Sequence, residues 1–125
     1  MDVFPTLCDL IETETPPSVQ GKSFATTIRN PDKMHRDCLY FAYKEYQRAV
    51  RDKRFKLIEY HVDHNRTTQL FDLDKDPWET NNLANDPNYK NHLERLRKSL
   101  KSMKSEFGDR TEEGKKFWEH YDTCK

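Results

Sequence analysis

Tyr46-Gln47-Arg48-Ala49-Val50-Arg51, a polar Asp52-Lys53 turn, and Phe55-Lys56-Leu57-Ile58-Glu59-Tyr60-His61-Val62 decide the fold. Both runs alternate with period two, as strands do. Gln47, Ala49 and Arg51 share one face, and Tyr46, Arg48 and Val50 the other. In the second run Lys56, Ile58, Tyr60 and Val62 share a face, opposite Phe55, Leu57, Glu59 and His61. Upstream, Leu39-Tyr40-Phe41-Ala42-Tyr43 is rich in aromatics and suits a further strand. Downstream, a polar loop at 63–67 leads to a fourth strand at 68–73. Connections this short make hairpins, not crossovers, so the sheet is antiparallel.

Further outward the period changes. Asp74-Lys75-Asp76-Pro77 ends the sheet with turn chemistry, and Pro77 is expected to open a one-turn helix through Asn82. Asp86-Pro87 begins the longest helix. There Tyr89, Leu93, Leu96, Leu100, Met103 and Phe107 form one apolar stripe, and Gly108 is the expected stop. Residues 111–125 are charged and aromatic and are assigned to no element. Before the sheet, residues 2–11 read as a short helix with Asp2 as cap and Val3, Phe4, Leu7, Leu10 and Ile11 on one face. So short a helix is marginal alone, and its apolar face needs a support that the chain does not obviously supply. Residues 12–36 read as an irregular connection, with Gly21 at a turn. The fold class is α+β: a four-stranded antiparallel sheet with one long C-terminal helix packed on it, preceded by a short helix.

Composition narrows the function. Of 125 residues, 34% are apolar and 35% charged, so a core is possible but thin. The 22 basic and 22 acidic residues cancel, which argues against nucleic acid or an anionic membrane as partner. The basic and aromatic stretch 44–56 is interrupted by Glu45 and Asp52 and reads as alternating surface charge. No apolar run approaches the ~20 residues of a membrane helix. Met1-Asp2-Val3-Phe4-Pro5 has neither the basic nor the apolar region of a signal peptide, so a secreted parent would carry its signal elsewhere. Cys8, Cys38 and Cys124 are too few and too far apart for a disulfide framework or a zinc motif and read as free thiols.

Four blocks resemble sulfatases of the arylsulfatase type, within the alkaline phosphatase superfamily. Asp2-Val3-Phe4-Pro5-Thr6-Leu7-Cys8-Asp9-Leu10 is similar to a helix late in that family. Gln20-Gly21-Lys22-Ser23-Phe24 is similar to the turn that follows it. Arg48-Ala49-Val50-Arg51 with Arg54-Phe55-Lys56-Leu57-Ile58 resembles the family's hairpin. Gln69-Leu70-Phe71-Asp72-Leu73-Asp74-Lys75-Asp76-Pro77-Trp78-Glu79-Thr80-Asn81-Asn82-Leu83 resembles its "LYDL..DP.E..NL" block. The blocks keep the family's order and cover residues 2 to about 100. The resemblance implies four stretches: residues 1–15 as the last helix of a catalytic domain, 16–36 as a connection, 37–108 as the C-terminal subdomain, and 109–125 as a charged tail.

It also implies a function, that of a C-terminal fragment of a sulfuric ester hydrolase. Such a piece packs on the N-terminal catalytic domain, its expected partner, and borders a cleft for sulfated substrate. No catalytic residue is expected here. The family's nucleophile is a formylglycine made from Cys or Ser in C/S-x-P-x-R, and no Cys or Ser of this chain stands in that pattern. The family's calcium is held on the catalytic domain, so no metal site or cofactor is expected in this chain. Asp63-His64-Asn65 superficially resembles a metal pair but follows the wrong strand and reads as a hairpin loop. His61 and His64 lack further ligands at a metal spacing; His35, His92 and His120 read as surface residues. Carried over, Lys44 and Arg48 in the first hairpin stand nearest the cleft and are the expected substrate contacts, since an Arg fork bonds two sulfate oxygens at once. The competing reading of Arg48 is a structural pair with a neighbouring carboxylate. Arg51, Lys56, Asp72 and Asp76 are expected to form a polar network at strand ends, and Trp78 to cap the sheet or a domain seam. The alternative function is a free-standing module that binds a protein or a sulfated glycan. Family members are often secreted, periplasmic or lysosomal; this sequence assigns no compartment.

Overall fold

A computed structural model describes residues 1–33, 35–63 and 65–123 in two compact units, Met1–Asp37 and Cys38–Lys125. In the first unit, α1 runs Val3–Leu10 and α2 runs Ala25–Arg29. Asp2 sits at the N-cap of α1, but its side chain does not cap. It instead accepts from Arg36 Nε and Nη2 at 3.0 Å each, and from the Lys22 backbone N–H, with His35 Nε2 at 3.1 Å. The Arg36 bonds, opposed by burial and helped by His35, hold its carboxyl well below the usual range. The expected irregular connection contains α2, which its β-branched Thr26-Thr27-Ile28 concealed. The Thr27 and Ile28 N–H groups donate to Phe24 O, and Ser23 Oγ accepts from Ala25 N–H. Gly21 does not mark a turn: a Cβ there would lie 2.2 Å from Met1 O, so close backbone approach excludes a side chain.

The second unit holds the sheet, in order β1-β2-β3-β4, antiparallel throughout. The strands are β1 Leu39–Tyr43, β2 Gln47–Arg51, β3 Phe55–Val62 and β4 Asn65–Asp72. Asp52 builds the β2–β3 turn by accepting the Arg54 and Phe55 N–H groups at 2.8 and 2.6 Å. β4 begins three residues before expectation, because Tyr60↔Thr67, His61↔Arg66 and Val62↔Asn65 extend the ladder through polar residues. Asp63 is left in the turn, with φ +48, and the His64 part of the hairpin-loop reading lies outside the described residues, as does Cys124.

One 3-10 turn, Pro87–Tyr89, capped by Asp86, leads into α3, Lys90–Glu106. Gly108 ends it with φ +59, the left-handed conformation that glycine adopts without penalty. The main core joins Val50, Phe55, Leu57 and Leu70 of the sheet to Leu93, Leu96, Leu100 and Met103 of α3. The expected charged tail is a helix, α4, Glu112–Thr123, which adds Phe117, Trp118 and Tyr121 to that core. The expected one-turn helix at 77–82 is absent. Asp76 accepts from Thr80 Oγ1 and Asn81 N–H, and Glu79 takes φ +55, so the segment is turns. Trp78 is 87% exposed and caps nothing in this unit. No described helix is long and apolar enough to cross a membrane.

Candidate functional site

The β1–β2 hairpin carries both residues that the sequence singled out, Lys44 in the turn and Arg48 in β2. Tyr43 O accepts the Tyr46 N–H at 3.2 Å, and Lys44 takes φ +44. A non-glycine residue there costs on the order of 1–3 kcal/mol and persists only where neighbours enforce it. Arg48 is the enforcing neighbour: its Nη1 donates to Lys44 O at 2.6 Å and to Gln47 O at 2.7 Å. Lys44 itself is exposed, with Nζ 5.8 Å from the Tyr43 ring.

Arg48 does not face outward. Its side chain is 1% exposed and lies over the Phe117 ring, 4.8 Å from the centroid. Its Nε and Nη2 donate to Asp109 Oδ2 and Oδ1 at 2.6 and 3.1 Å. Asp109 also accepts from Tyr40 Oη at 2.6 Å and Trp118 Nε1 at 2.8 Å. Burial pushes the Asp109 carboxyl up, but the Arg48, Tyr40 and Trp118 donors outweigh it and hold it below the usual range. Burial, then the bond to that carboxylate, raises the Tyr40 hydroxyl. One carboxylate therefore ties β1, β2 and α4 together, and the fork that the sequence offered to sulfate is committed to it. Arg48 positions the turn; Lys44 is the cation left facing solvent.

A second buried carboxylate, Glu59, accepts from Arg97 Nε at 2.7 Å, Thr68 Oγ1 at 2.7 Å and the Arg66 fork at 3.2 Å, which joins α3 to β3 and β4. The expected strand-end network resolves into separate pairs. Arg54 donates to both Asp72 oxygens at 2.9 and 2.6 Å, and Lys56 Nζ pairs with Glu79 at 2.7 Å. Arg51 is exposed. The histidines differ from expectation too: His92 stacks on Phe55 and His61 on His120, both at 4.3 Å, and His35 bonds Asp2. Among the described residues no three His, Cys, Asp or Glu side chains gather to hold a metal ion.

Sequence reasoning missed Asp109, Trp118 and Arg97. Asp109 and Trp118 lay in the unplaced tail. Arg97 was foreshadowed, because the alternation put charged Glu59 on the face shared with Phe55 and Leu57, where a carboxylate needs a partner.

A four-stranded antiparallel sheet with a long helix packed on it is the architecture expected of a sulfatase C-terminal subdomain. Residues 1–106 match the family model described as N-sulphoglucosamine sulphohydrolase, C-terminal, and the chain belongs to that family. It is 36% identical over 97 residues to a Delta 4,5-hexuronate-2-O-sulfatase of Bacteroides thetaiotaomicron, covering 71% of this chain and 20% of that protein. It is 31% identical over 102 residues to an arylsulfatase of Clostridium perfringens, covering 79% and 21%. Among solved structures, BT4656 in complex with its substrate D-glucosamine-2-N,6-O-disulfate superposes with TM-score 0.79 at 26% identity, over 92% of this chain and 25% of that one. BT1596, a 2-O GAG sulfatase, superposes with TM-score 0.69 at 33% identity, over 84% and 24%. The chain thus spans a fifth to a quarter of the relatives it matches.

Proposed function

We propose that this chain serves as the C-terminal portion of a sulfuric ester hydrolase, packs on a catalytic domain, borders its substrate cleft and hydrolyses nothing alone. The observation that carries this reading is apolar surface in both units. On α1 and its C-cap, Val3, Phe4, Leu7, Leu10 and Ile11 are 39–69% exposed. On the sheet, Leu39, Phe41 and Tyr43 of edge strand β1 are exposed together. Contiguous apolar surface of this kind marks an interface, and an edge strand without a single charge lacks the usual protection against pairing. Formylglycine and calcium, which would supply the nucleophile and its electrostatic support, belong to the catalytic domain in this reading.

The substrate is a sulfated sugar, in keeping with the ligand of BT4656. Lys44 offers its ammonium to a sulfate group, while Arg48 holds the turn at the height that makes this contact. In the complete enzyme, Lys44→Ala should raise KM roughly three- to tenfold with kcat unchanged, the signature of lost uniform binding. An unaltered KM removes Lys44 from the cleft. Sulfate release from N- and 6-O-sulfated glucosamine is expected only when the chain is joined to a sulfatase N-terminal portion; turnover by the chain alone overturns the reading.

A further inference from the structure

Asn65-Arg66-Thr67 is an Asn-x-Thr triplet whose middle residue is not proline, the pattern of an acceptor for N-linked oligosaccharide. Six other asparagines occur in the chain, and none has Ser or Thr two residues on. Such triplets also arise by chance, so the setting of this one decides whether it can be used. Asn65 opens β4 at the tip of the β3–β4 hairpin, paired with Val62, and Thr67 pairs with Tyr60. Strand alternation turns Asn65 and Thr67 to one face and Arg66 to the other. Arg66 reaches inward: its fork donates to buried Glu59, and its guanidinium lies 4.1 Å from the Tyr121 ring centroid. Asn65 and Thr67 are both exposed, as is Val62 beside them. The two residues that a transferase reads therefore face solvent, and the one it ignores ties the sheet to α4.

We propose that Asn65 carries an N-linked oligosaccharide, added in a compartment that supplies lipid-linked sugar. In that transfer the Asn65 Nδ2 attacks the anomeric carbon of an oligosaccharyl diphosphate lipid. The bond from Nδ2 to that carbon forms, and the bond from the carbon to the diphosphate oxygen breaks. The lipid diphosphate leaves with that electron pair, and one Nδ2 proton passes to a base of the transferase. The fold accommodates the product. An Asn amide has two N–H donors. One donates to Asp63 O at 3.1 Å, so replacing the other by a sugar breaks no hydrogen bond that this tip makes. No buried side chain is displaced, because the tip is exposed. β4 is the edge of the sheet opposite β1, so a bulky, solubilising group on it leaves the apolar β1 edge open and covers an edge that would otherwise be available for pairing. None of this depends on a catalytic domain or on a substrate at Lys44.

Both Asn65 and Thr67 lie in the β3–β4 ladder, so a transferase meets them before the hairpin closes, and the test is made during secretion. The full chain is expressed behind a cleavable secretory signal in a eukaryotic cell line, and lumenal and secreted chains are both analysed by intact mass. Most chains are expected to carry the mass of one oligosaccharide. Peptide N-glycosidase should remove it and leave Asp at position 65, as peptide mapping reads. Asn65→Gln and Thr67→Ala should each abolish the modification, while Thr67→Ser, which keeps the hydroxyl, should retain it. The glycosylated chain should melt within about 4 °C of the Asn65→Gln chain. Chains that reach the lumen unmodified overturn the proposal. A modification that survives Thr67→Ala overturns it too, as does a larger loss of melting temperature on glycosylation, which would show that the folded tip does not tolerate the sugar.

Discussion

Asp109 shows how one residue can carry more structure than its neighbourhood in sequence suggests. Its carboxylate neutralises a guanidinium that is 1% exposed and accepts from two aromatic side chains as well. Asp109→Ala would strand that charge in the core, and breaking a buried pair from one side costs about 3–5 kcal/mol. Arg48→Ala should cost less than Asp109→Ala, because Asp109 keeps Tyr40 and Trp118, whereas Asp109→Ala leaves both of those donors unpaired and the guanidinium with neutral carbonyls alone. Chemical denaturation of the two variants tests the order, and equal losses would mean that Tyr40 and Trp118 contribute nothing. The same carboxylate sets a pH dependence. Its folded value lies below the unfolded 3.8, so the unfolded chain takes up the proton first as pH falls. The stability it provides is complete above the unfolded value and is lost as acidification carries pH down through the folded one. Melting temperature followed from pH 6 to pH 2 should fall less steeply below pH 4 in Asp109→Asn than in the parent. Parallel curves would place the acid sensitivity in Asp2, Asp52 or Asp72 instead.

Among the elements, legibility followed length and repetition. α3 was readable because its apolar residues recur over four turns, and β2 and β3 because alternation separated their two faces. α4 was not readable, although residues 114, 117, 118 and 121 have the spacing of a helical face. The first position of that face is a glycine, among the weakest helix formers. All four are buried. A Cβ at Gly114 would lie 2.4 Å from Asp109 Oδ1 and 3.0 Å from its carbonyl oxygen. The residue that hides the helix is therefore the residue that lets α4 approach the Asp109 hub. In an ordinary helix interior Gly→Ala gains roughly 0.5–1 kcal/mol. Here Asp109 is held by four hydrogen bonds and cannot retreat, so overpacking at about 1–3 kcal/mol should win. Gly114→Ala is expected to lower the melting temperature, and a rise would show that Asp109 moves freely. The candidate site was only half legible for a related reason. Alternation put Arg48 on the face of Val50, which the structure makes the core face, but Asp109, its partner, lies 61 residues away, just past the expected helix stop at Gly108.

At the scale of the molecule, the two units have separate means of support. Met1–Asp37 is organised by polar bonds: Asp2 to Arg36 and His35, and the Phe24 N–H to Thr6 Oγ1. It leaves most of the apolar face of α1 in solvent. The second unit, Cys38–Lys125, has a continuous core of sheet, α3 and α4 and the Asp109 and Glu59 hubs. If the first unit belongs functionally to a catalytic domain, the second should fold without it. A chain that starts at Cys38 is therefore expected to melt cooperatively, within about 4 °C of the full chain, the shift that roughly 1 kcal/mol produces at this size. It should also be more soluble, because Val3, Phe4, Leu7 and Ile11 are gone. A larger drop in melting temperature would mean that the first unit stabilises the sheet and α3 directly. The apolar face of α1 would then belong to a self-sufficient domain, and of the two apolar surfaces only the exposed β1 edge would still argue for a catalytic partner.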